Sequence, residues 1–261
     1  MTANQFFDQL LLDIQVDDDE LSDARDKRDA LARLCCRVMG ENLGGSCEHV
    51  AVGALAQGTQ IQPLNDVDLA IVFGSKGNGW DEDPEKALRQ TAGWIHEALR
   101  SSEDFNVSSV EASSHAVKIE FDDQTFSADV VPAFNPLLST GLSIPHCPKN
   151  DPSDRRWIAT DPAGHRDMVK DRNRETSSKF ARQIRILKWW NRYKKLQDQD
   201  ERKPVSSFHL TALALSILDG PISHAEATAH FFEQASAKVL SPIPTPSGVG
   251  DPLEAKDPVY A

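Results

Sequence analysis

The sequence predicts an α+β fold in which a mixed β-sheet with flanking helices packs against a C-terminal helical lobe. Up to about residue 140, strand-like alternation and helix-like spacing of apolar residues interleave, whereas the later patterns are helical and no strand is convincing. A chain of 261 residues suits one large domain or two small ones. We therefore predict a mixed core with N-terminal helices over 1–140, and a helical lobe with a proline-rich tail over 141–261.

Elements of the mixed part are predicted from the period of their apolar residues, which is 3.6 in helices and two in strands. In chain order they are helices over 5–14 and from Ser22 to the Gly44-Gly45 pair, a short strand or turn over 47–56, a strand over 66–73, a loop over 74–79, a helix from Asp83 to about residue 101, and strands over 115–121 and 125–134. Asp83 followed by Pro84 is typical of a helix start. Asp122, Asp123 and Gln124 predict a hairpin loop, and Pro132 should close the last strand.

The helical part contains three segments with apolar residues at helical spacing. They are 179–196, 206–218 with a stop at Gly220-Pro221, and a helix that opens at Ser223. Ser223 with Glu226 has the spacing of a capping box, in which each residue satisfies a free backbone N–H of the other. The proline-rich tail over 241–261 should run over the surface.

Charge and composition exclude several classes of protein. The net charge of −12 disfavours a protein that wraps duplex DNA. Ten basic and two acidic residues lie between 170 and 195, and this local patch suits a small, highly charged anion better than a long polyanion. No apolar run approaches the roughly 20 residues of a membrane helix, and the N-terminus does not resemble a signal peptide. We therefore expect a cytoplasmic protein with four reduced cysteines.

Two aspartates open the predicted strand over 66–73. Side chains of a strand alternate between its faces, so Asp66 and Asp68 share one face and the apolar residues occupy the other. Two carboxylates so close repel each other, and a divalent cation such as Mg²⁺ would relieve that repulsion. Asp129, on a separate strand, is the candidate for a third carboxylate and could complete a two-metal site for phosphoryl transfer. The alternative is a surface turn or a helix cap, since short motifs match often by chance.

A glycine-bearing turn precedes these aspartates. Gly53 and Gly58 would let the backbone approach an anion closely, and Thr59 adds a hydroxyl donor. Downstream, we predict that Lys188 contacts phosphate as a point charge, whereas Arg192 belongs to a solvated basic face together with Lys195.

Two groups of motifs resemble a known family. The stretch GALAQGTQIQPLNDVDLAIVF, with a third aspartate on a later strand, resembles the nucleotidyltransferase signature of the DNA polymerase β superfamily. The stretches IPHC, RRWIATDPAGH, IRILKWWNR and SSFHL resemble the bacterial cGAS/DncV-like nucleotidyltransferases (CD-NTases), which are related to oligoadenylate synthases. The resemblance covers about residues 45–215.

The resemblance implies a polymerase β-like catalytic palm packed on a helical lobe, with nucleoside triphosphates bound in the cleft between them. It implies that Asp66, Asp68 and Asp129 hold two Mg²⁺ or Mn²⁺ ions and carry catalysis. The residues implied to bind nucleotide or phosphate are Gly53, Ala54, Gln57, Gly58, Thr59, Lys188, Ser207 and Phe208. Phe208 could stack on a base or pack in the core. The implied product is a cyclic di- or trinucleotide second messenger that activates a separate effector protein in antiphage defence.

Two residues depart from the family pattern. Ala54 stands where the family has a serine, so one hydroxyl contact to phosphate is missing, and Thr211 replaces a residue that is often acidic.

Two alternative functions stay open. One is a nucleotidyltransferase that modifies tRNA or a protein, although the modest basic patch disfavours tRNA. The other is a nucleotide-binding sensor or scaffold that has lost catalysis.

Overall fold

The computed structural model describes residues 1–74, 80, 82–122, 126–135, 141–197, 205–220 and 222–238. Residues 75–79 of the predicted loop over 74–79 lie outside the described residues, as do Asp123 and Gln124 of the predicted hairpin loop, Pro221 and the proline-rich tail.

The described residues form helices and a single mixed sheet. The helices are α1 (Ala3–Asp13), α2 (Asp18–Leu43), α3 (Gly53–Gln57), α4 (Pro84–Arg100), α5 (Pro162–Glu175), α6 (Phe180–Gln197), α7 (Ser207–Ile217) and α8 (His224–Lys238). The strands are β1 (Cys47–Val52), β2 (Asp66–Phe73), β3 (Val107–Ala112), β4 (Val117–Phe121), β5 (Ser127–Phe134), β6 (Leu142–His146) and β7 (Arg156–Thr160). The predicted class, a mixed sheet with flanking helices, is confirmed.

The chain forms two compact units that interleave along the sequence. A sheet unit comprises Asp17–Leu55 and the described part of Leu64–Ala163, and a helical unit comprises Met1–Val16, Ala56–Pro63 and the described part of Gly164–Ala261. The division into domains 1–140 and 141–261 stays a prediction.

In the sheet unit, the strands follow the order β1-β2-β5-β4-β3, and β6 joins β5 to β7. The pair β2–β5 is parallel and the other pairs are antiparallel. Apolar residues that alternate with the polar ones, such as Leu69, Ile71 and Ile119, are fully buried. Helices α2 and α4 pack against the sheet, and burial of this apolar face supplies most of the driving force for folding.

Several strand predictions were wrong. No strand was expected beyond residue 140, yet β6 and β7 pair with each other there, and β3 was also missed. Burial along β6 and β7 does not alternate cleanly, so no period of two marks them, and sheet pairing overrides the weak local pattern. Strand β5 also continues past Pro132. Its pairing with β4 ends at Val130, so the N–H that proline lacks is not needed on that side.

Helix ends follow local chemistry. Helix α2 begins at Asp18 and not near Ser22, because the Asp17 carboxylate accepts a hydrogen bond from the Asp19 N–H at 2.9 Å and caps the helix. Acidic residues also favour a helix N-terminus electrostatically. The capping box at α8 is confirmed: the Ser223 N–H donates to the Glu226 carboxylate at 3.0 Å, and the Glu226 N–H donates to the Ser223 hydroxyl at 3.3 Å.

The helical unit has its own apolar core. Its buried side chains come from helices α5 to α8 and include Val169, Phe180, Ile184, Leu187, Leu213 and Phe231. Helix α5 was not predicted, since only Val169 and His165 of its side chains are buried and the apolar pattern is sparse. None of the described helices is long and apolar enough to cross a membrane.

Candidate functional site

The register of the parallel strands β2 and β5 brings three aspartates together. Asp68 lies directly opposite Asp129 across the pair, and Asp66 lies on the same face of β2. One carboxylate oxygen from each of the three residues lies within 4.8 Å of the other two. Asp66 is exposed, and Asp68 and Asp129 are half-buried. We call these three residues the carboxylate cluster.

Burial and mutual repulsion act on the carboxyl groups of the carboxylate cluster. Burial of the Asp129 carboxyl, followed by repulsion from Asp66, raises the pKa of Asp129, and the positive charge of Lys118 opposes this rise. Hard divalent cations prefer oxygen ligands, and three converging carboxylates give such a donor set. The residues therefore fit a magnesium or manganese site.

We expect substitution of Asp129 by asparagine to stabilise the metal-free protein at neutral pH. Because the folded pKa of Asp129 lies above the unfolded value, this carboxyl contributes most to stability below the unfolded pKa, and the contribution is lost as pH rises through the folded pKa. Asparagine removes the repelling charge. Thermal unfolding in EDTA at pH 7 should show a higher Tm for the variant, by about 2–4 °C per kcal/mol gained.

The gain should vanish near pH 3.5, below the unfolded pKa of about 3.9. Asp104→Asn, at an exposed aspartate outside the carboxylate cluster, is the matched control and should leave Tm unchanged. A lower Tm for the Asp129 variant at pH 7 would contradict the prediction.

Gly53 is fitted against the carboxylate cluster. Strand β1 pairs with β2 so that Val52 lies opposite Asp68, and Gly53 follows with a left-handed φ of +68°. A Cβ atom on Gly53 would lie 1.7 Å from Oδ2 of Asp68, so only glycine fits. The sequence predicted that this glycine approaches an anion, and the anion that it meets in the structure is a carboxylate of the protein.

The other residues of the glycine turn have different surroundings. Ala54 and Gln57 are half-buried on α3. Gly58 adopts a left-handed φ of +70° with open space beside it, so glycine is favoured there by the backbone conformation and not by a close neighbour. Thr59 is fully buried, and its hydroxyl accepts a hydrogen bond from the Lys188 ammonium at 3.0 Å. Both residues belong to the helical unit. The binding of phosphate by this set stays a prediction.

Ser207 and Phe208 lie at the start of α7. Ser207 is exposed, and the helix is capped by Ser206, whose hydroxyl accepts a hydrogen bond from the His209 N–H at 3.1 Å. Phe208 packs against the apolar core of the helical unit, with its ring centroid 4.9 Å from that of His165. Of the two interpretations of Phe208, this packing supports a core role, and stacking on a base stays a prediction.

Arg192, predicted to belong to a solvated basic face, is half-buried and makes contacts that the sequence did not predict. Its guanidinium donates hydrogen bonds to the backbone carbonyls of Gln62 at 3.0 Å and Pro63 at 3.2 Å. It therefore anchors that segment within the helical unit. The side chain of Lys195 lies outside the described residues.

Lys118 was missed as a neighbour of the carboxylate cluster. It lies on β4 directly opposite Asp129 in the antiparallel pair β4–β5. The alternation of β4 and the short loop to β5 were visible in the sequence, so counting back across the predicted hairpin could have found it.

Comparisons with known proteins identify the family of the chain and the fold that it shares with solved structures. The family described as "Second Messenger Oligonucleotide or Dinucleotide Synthetase domain" matches residues 1–173. The cyclic AMP-AMP-AMP synthase of Escherichia coli (strain MS 115-1) is 26% identical over 184 residues, which is 69% of this chain and 54% of that protein. The match thus spans just over half of the relative's length.

Solved structures share the fold. The structure of CdnC from E. coli MS115-1 with ATP gives a TM-score of 0.72 at 20% identity, over 93% of this chain and 74% of that chain. The structure of the cyclic AMP-GMP synthase DncV of Vibrio cholerae, in complex with a linear intermediate, gives a TM-score of 0.70 at 14% identity, over 94% of this chain and 80% of that chain. These likenesses confirm the predicted polymerase β-like fold class.

Proposed function

Because the chain belongs to the Second Messenger Oligonucleotide or Dinucleotide Synthetase family, we propose that it joins nucleoside triphosphates into a cyclic di- or trinucleotide and releases pyrophosphate. Family membership confirms the predicted resemblance to the bacterial cGAS/DncV-like nucleotidyltransferases. The observation that carries the proposal is the carboxylate cluster, in which oxygens from two neighbouring strands converge within 4.8 Å.

The carboxylate cluster would hold two Mg²⁺ or Mn²⁺ ions through Asp66, Asp68 and Asp129. When bound, these ions would supply positive charge that favours ionisation of the acceptor hydroxyl and departure of pyrophosphate. In our proposal, Asp129 takes up the proton of the attacking 3′- or 2′-hydroxyl. The rigid strands β2 and β5 fix the three carboxylates, and this positioning accounts for much of the rate enhancement.

Lys188, Ser207 and Ala54 are the residues that we propose for triphosphate binding. Lys188 is buried, and its bond to Thr59 fixes the ammonium in one place, as suits a point charge for a phosphate group. The exposed hydroxyl of Ser207 is available as a donor. At Ala54, which carries no hydroxyl, only the backbone N–H could contact phosphate. We further propose that the chain acts in the cytoplasm and that its product activates a separate effector in antiphage defence.

Incubation with radiolabelled nucleoside triphosphates tests the proposed function. Each of the four triphosphates, singly and in mixtures, is incubated with the protein and Mg²⁺ or Mn²⁺. We expect a product that resists phosphatase, since a cyclic product has no terminal phosphate, and its mass gives the composition. Label transferred to tRNA or protein would favour the first alternative, and bound nucleotide without turnover would favour a sensor. Either result would overturn the proposed synthesis.

A further inference from the structure

Beside the carboxylate cluster, the polar face of the sheet continues across β4. Cross-strand pairing aligns Asp68 with Asp129 and Asp129 with Lys118, so the three side chains form one row over three neighbouring strands. Lys118 is therefore a cation that the sheet itself places next to the carboxylate cluster.

The ammonium of Lys118 is restrained by Glu120, which lies two residues further along β4. It donates to the Glu120 carboxylate at 3.0 Å, and Glu120 also accepts a hydrogen bond from the Ser109 hydroxyl at 3.3 Å. The side chains of Lys118 and Glu120 are 48% and 51% exposed, so both remain in contact with water. Glu120 thus pairs directly with the Lys118 ammonium. This pairing keeps the ammonium close enough to act electrostatically on the carboxylate cluster.

The positive charge of Lys118 acts on the same carboxylates that would bind metal. Its pKa is raised, first by the bond to Glu120 and further by the negative charges of Glu120, Asp129 and Asp66. A divalent cation that enters the carboxylate cluster must approach this ammonium and is repelled by it.

We propose that Lys118 is an internal counter-charge that competes with divalent cations and so limits the affinity of the carboxylate cluster for them, with Glu120 restraining it. The inference rests on the proposed function, because it presupposes a metal-dependent site. Without metal, Lys118 offsets part of the repulsion among Asp66, Asp68 and Asp129. With metal, it lowers affinity, so the ions remain exchangeable between turnovers.

The test is a titration of the full chain with Mn²⁺, followed by electron paramagnetic resonance. Lys118→Met should bind Mn²⁺ about two- to fivefold more tightly than the unaltered chain, because a repelling unit charge is gone. Lys118→Arg keeps the charge and should restore the original affinity. Lys86→Met, at an exposed lysine of α4, is the matched control and should change nothing. At about 1 M salt the difference should shrink, since the Debye length falls to about 3 Å.

A double-mutant cycle tests the restraint by Glu120. Glu120→Gln should weaken Mn²⁺ binding, and it should do so more in the unaltered chain than in Lys118→Met, because part of its effect acts through Lys118. Equal losses in the two backgrounds would overturn the restraint assigned to Glu120. Circular dichroism of each variant confirms that it is folded.

Failure of this inference is distinguishable from failure of the proposed function. If Lys118→Met binds Mn²⁺ no more tightly than the unaltered chain, the role of Lys118 is refuted while the synthesis of nucleotides stands. If the unaltered chain binds Mn²⁺ and the variants differ as expected but no triphosphate is consumed, the counter-charge stands and the function falls. If the unaltered chain binds no Mn²⁺, both are refuted.

Discussion

Replacement of Asp66 and Asp68 by asparagine in one variant is expected to reduce product formation by at least about 10³-fold, since metal-ion stabilisation of a transition state contributes several kcal/mol. Asparagine has the size of aspartate and keeps one oxygen, but it lacks the charge that holds a divalent cation. The variant should also lose Mn²⁺ binding. The measurements are the rate of phosphatase-resistant product formation and the Mn²⁺ titration.

The fold should survive this change, because removing two charges relieves repulsion within the carboxylate cluster. We therefore expect the Tm in EDTA to be at least as high as that of the unaltered chain. Asp104→Asn, the same chemical change outside the carboxylate cluster, should keep full activity. Product formed at the unaltered rate by the double variant would refute a catalytic role for these two residues.

Gly53→Ala is the second change for which we expect a large effect. A Cβ atom there would lie 1.7 Å from Oδ2 and 2.5 Å from Cγ of Asp68, well inside van der Waals contact. The Asp68 carboxylate must move, and alanine also disfavours the left-handed backbone at this position by about 1 kcal/mol. We expect Mn²⁺ affinity and product formation each to fall by at least about 100-fold, since small displacements of positioned groups are costly.

A second glycine of the sheet unit provides the control for Gly53. Gly93 lies inside α4, its backbone is helical, and a Cβ atom on it would meet no described atom within 4 Å beyond the backbone of its own helix. Gly93→Ala should therefore leave activity unchanged and raise stability by up to about 1 kcal/mol, because alanine is the better helix former. Full Mn²⁺ binding by Gly53→Ala would show that Asp68 can be displaced without consequence, and would contradict the expectation.

The sequence was sufficient to identify the three carboxylates but not their arrangement. Alternation placed Asp66 and Asp68 on one face of a strand, and the third aspartate followed from a similar pattern in β5. That Asp129 lies opposite Asp68 depends on the parallel pairing of two strands far apart in the chain, and nothing local encodes that pairing. The apolar periodicity likewise predicted most helices, since each buries a stripe of its own.

Features that depend on tertiary contacts escaped prediction. The short strands β6 and β7 carry weak patterns and exist through their pairing. Lys188 looked like one member of a basic stripe, yet its ammonium is buried against Thr59. A buried lysine needs a polar partner, and the sequence does not show which distant hydroxyl supplies it. The glycine at position 53 predicted a close approach of the backbone to an anion, but the sequence did not show that this anion is the Asp68 carboxylate.

The alignment of β2 with β5 affects where the sequence can tolerate insertions and deletions. The distance between Asp68 and Asp129 is fixed by ladder hydrogen bonds and not by the stretch of chain that joins the two strands. Insertions or deletions in the connections along that stretch can therefore be accommodated without shifting either aspartate. Descendants of this gene could remodel those loops to suit new substrates while inheriting the same reactive geometry.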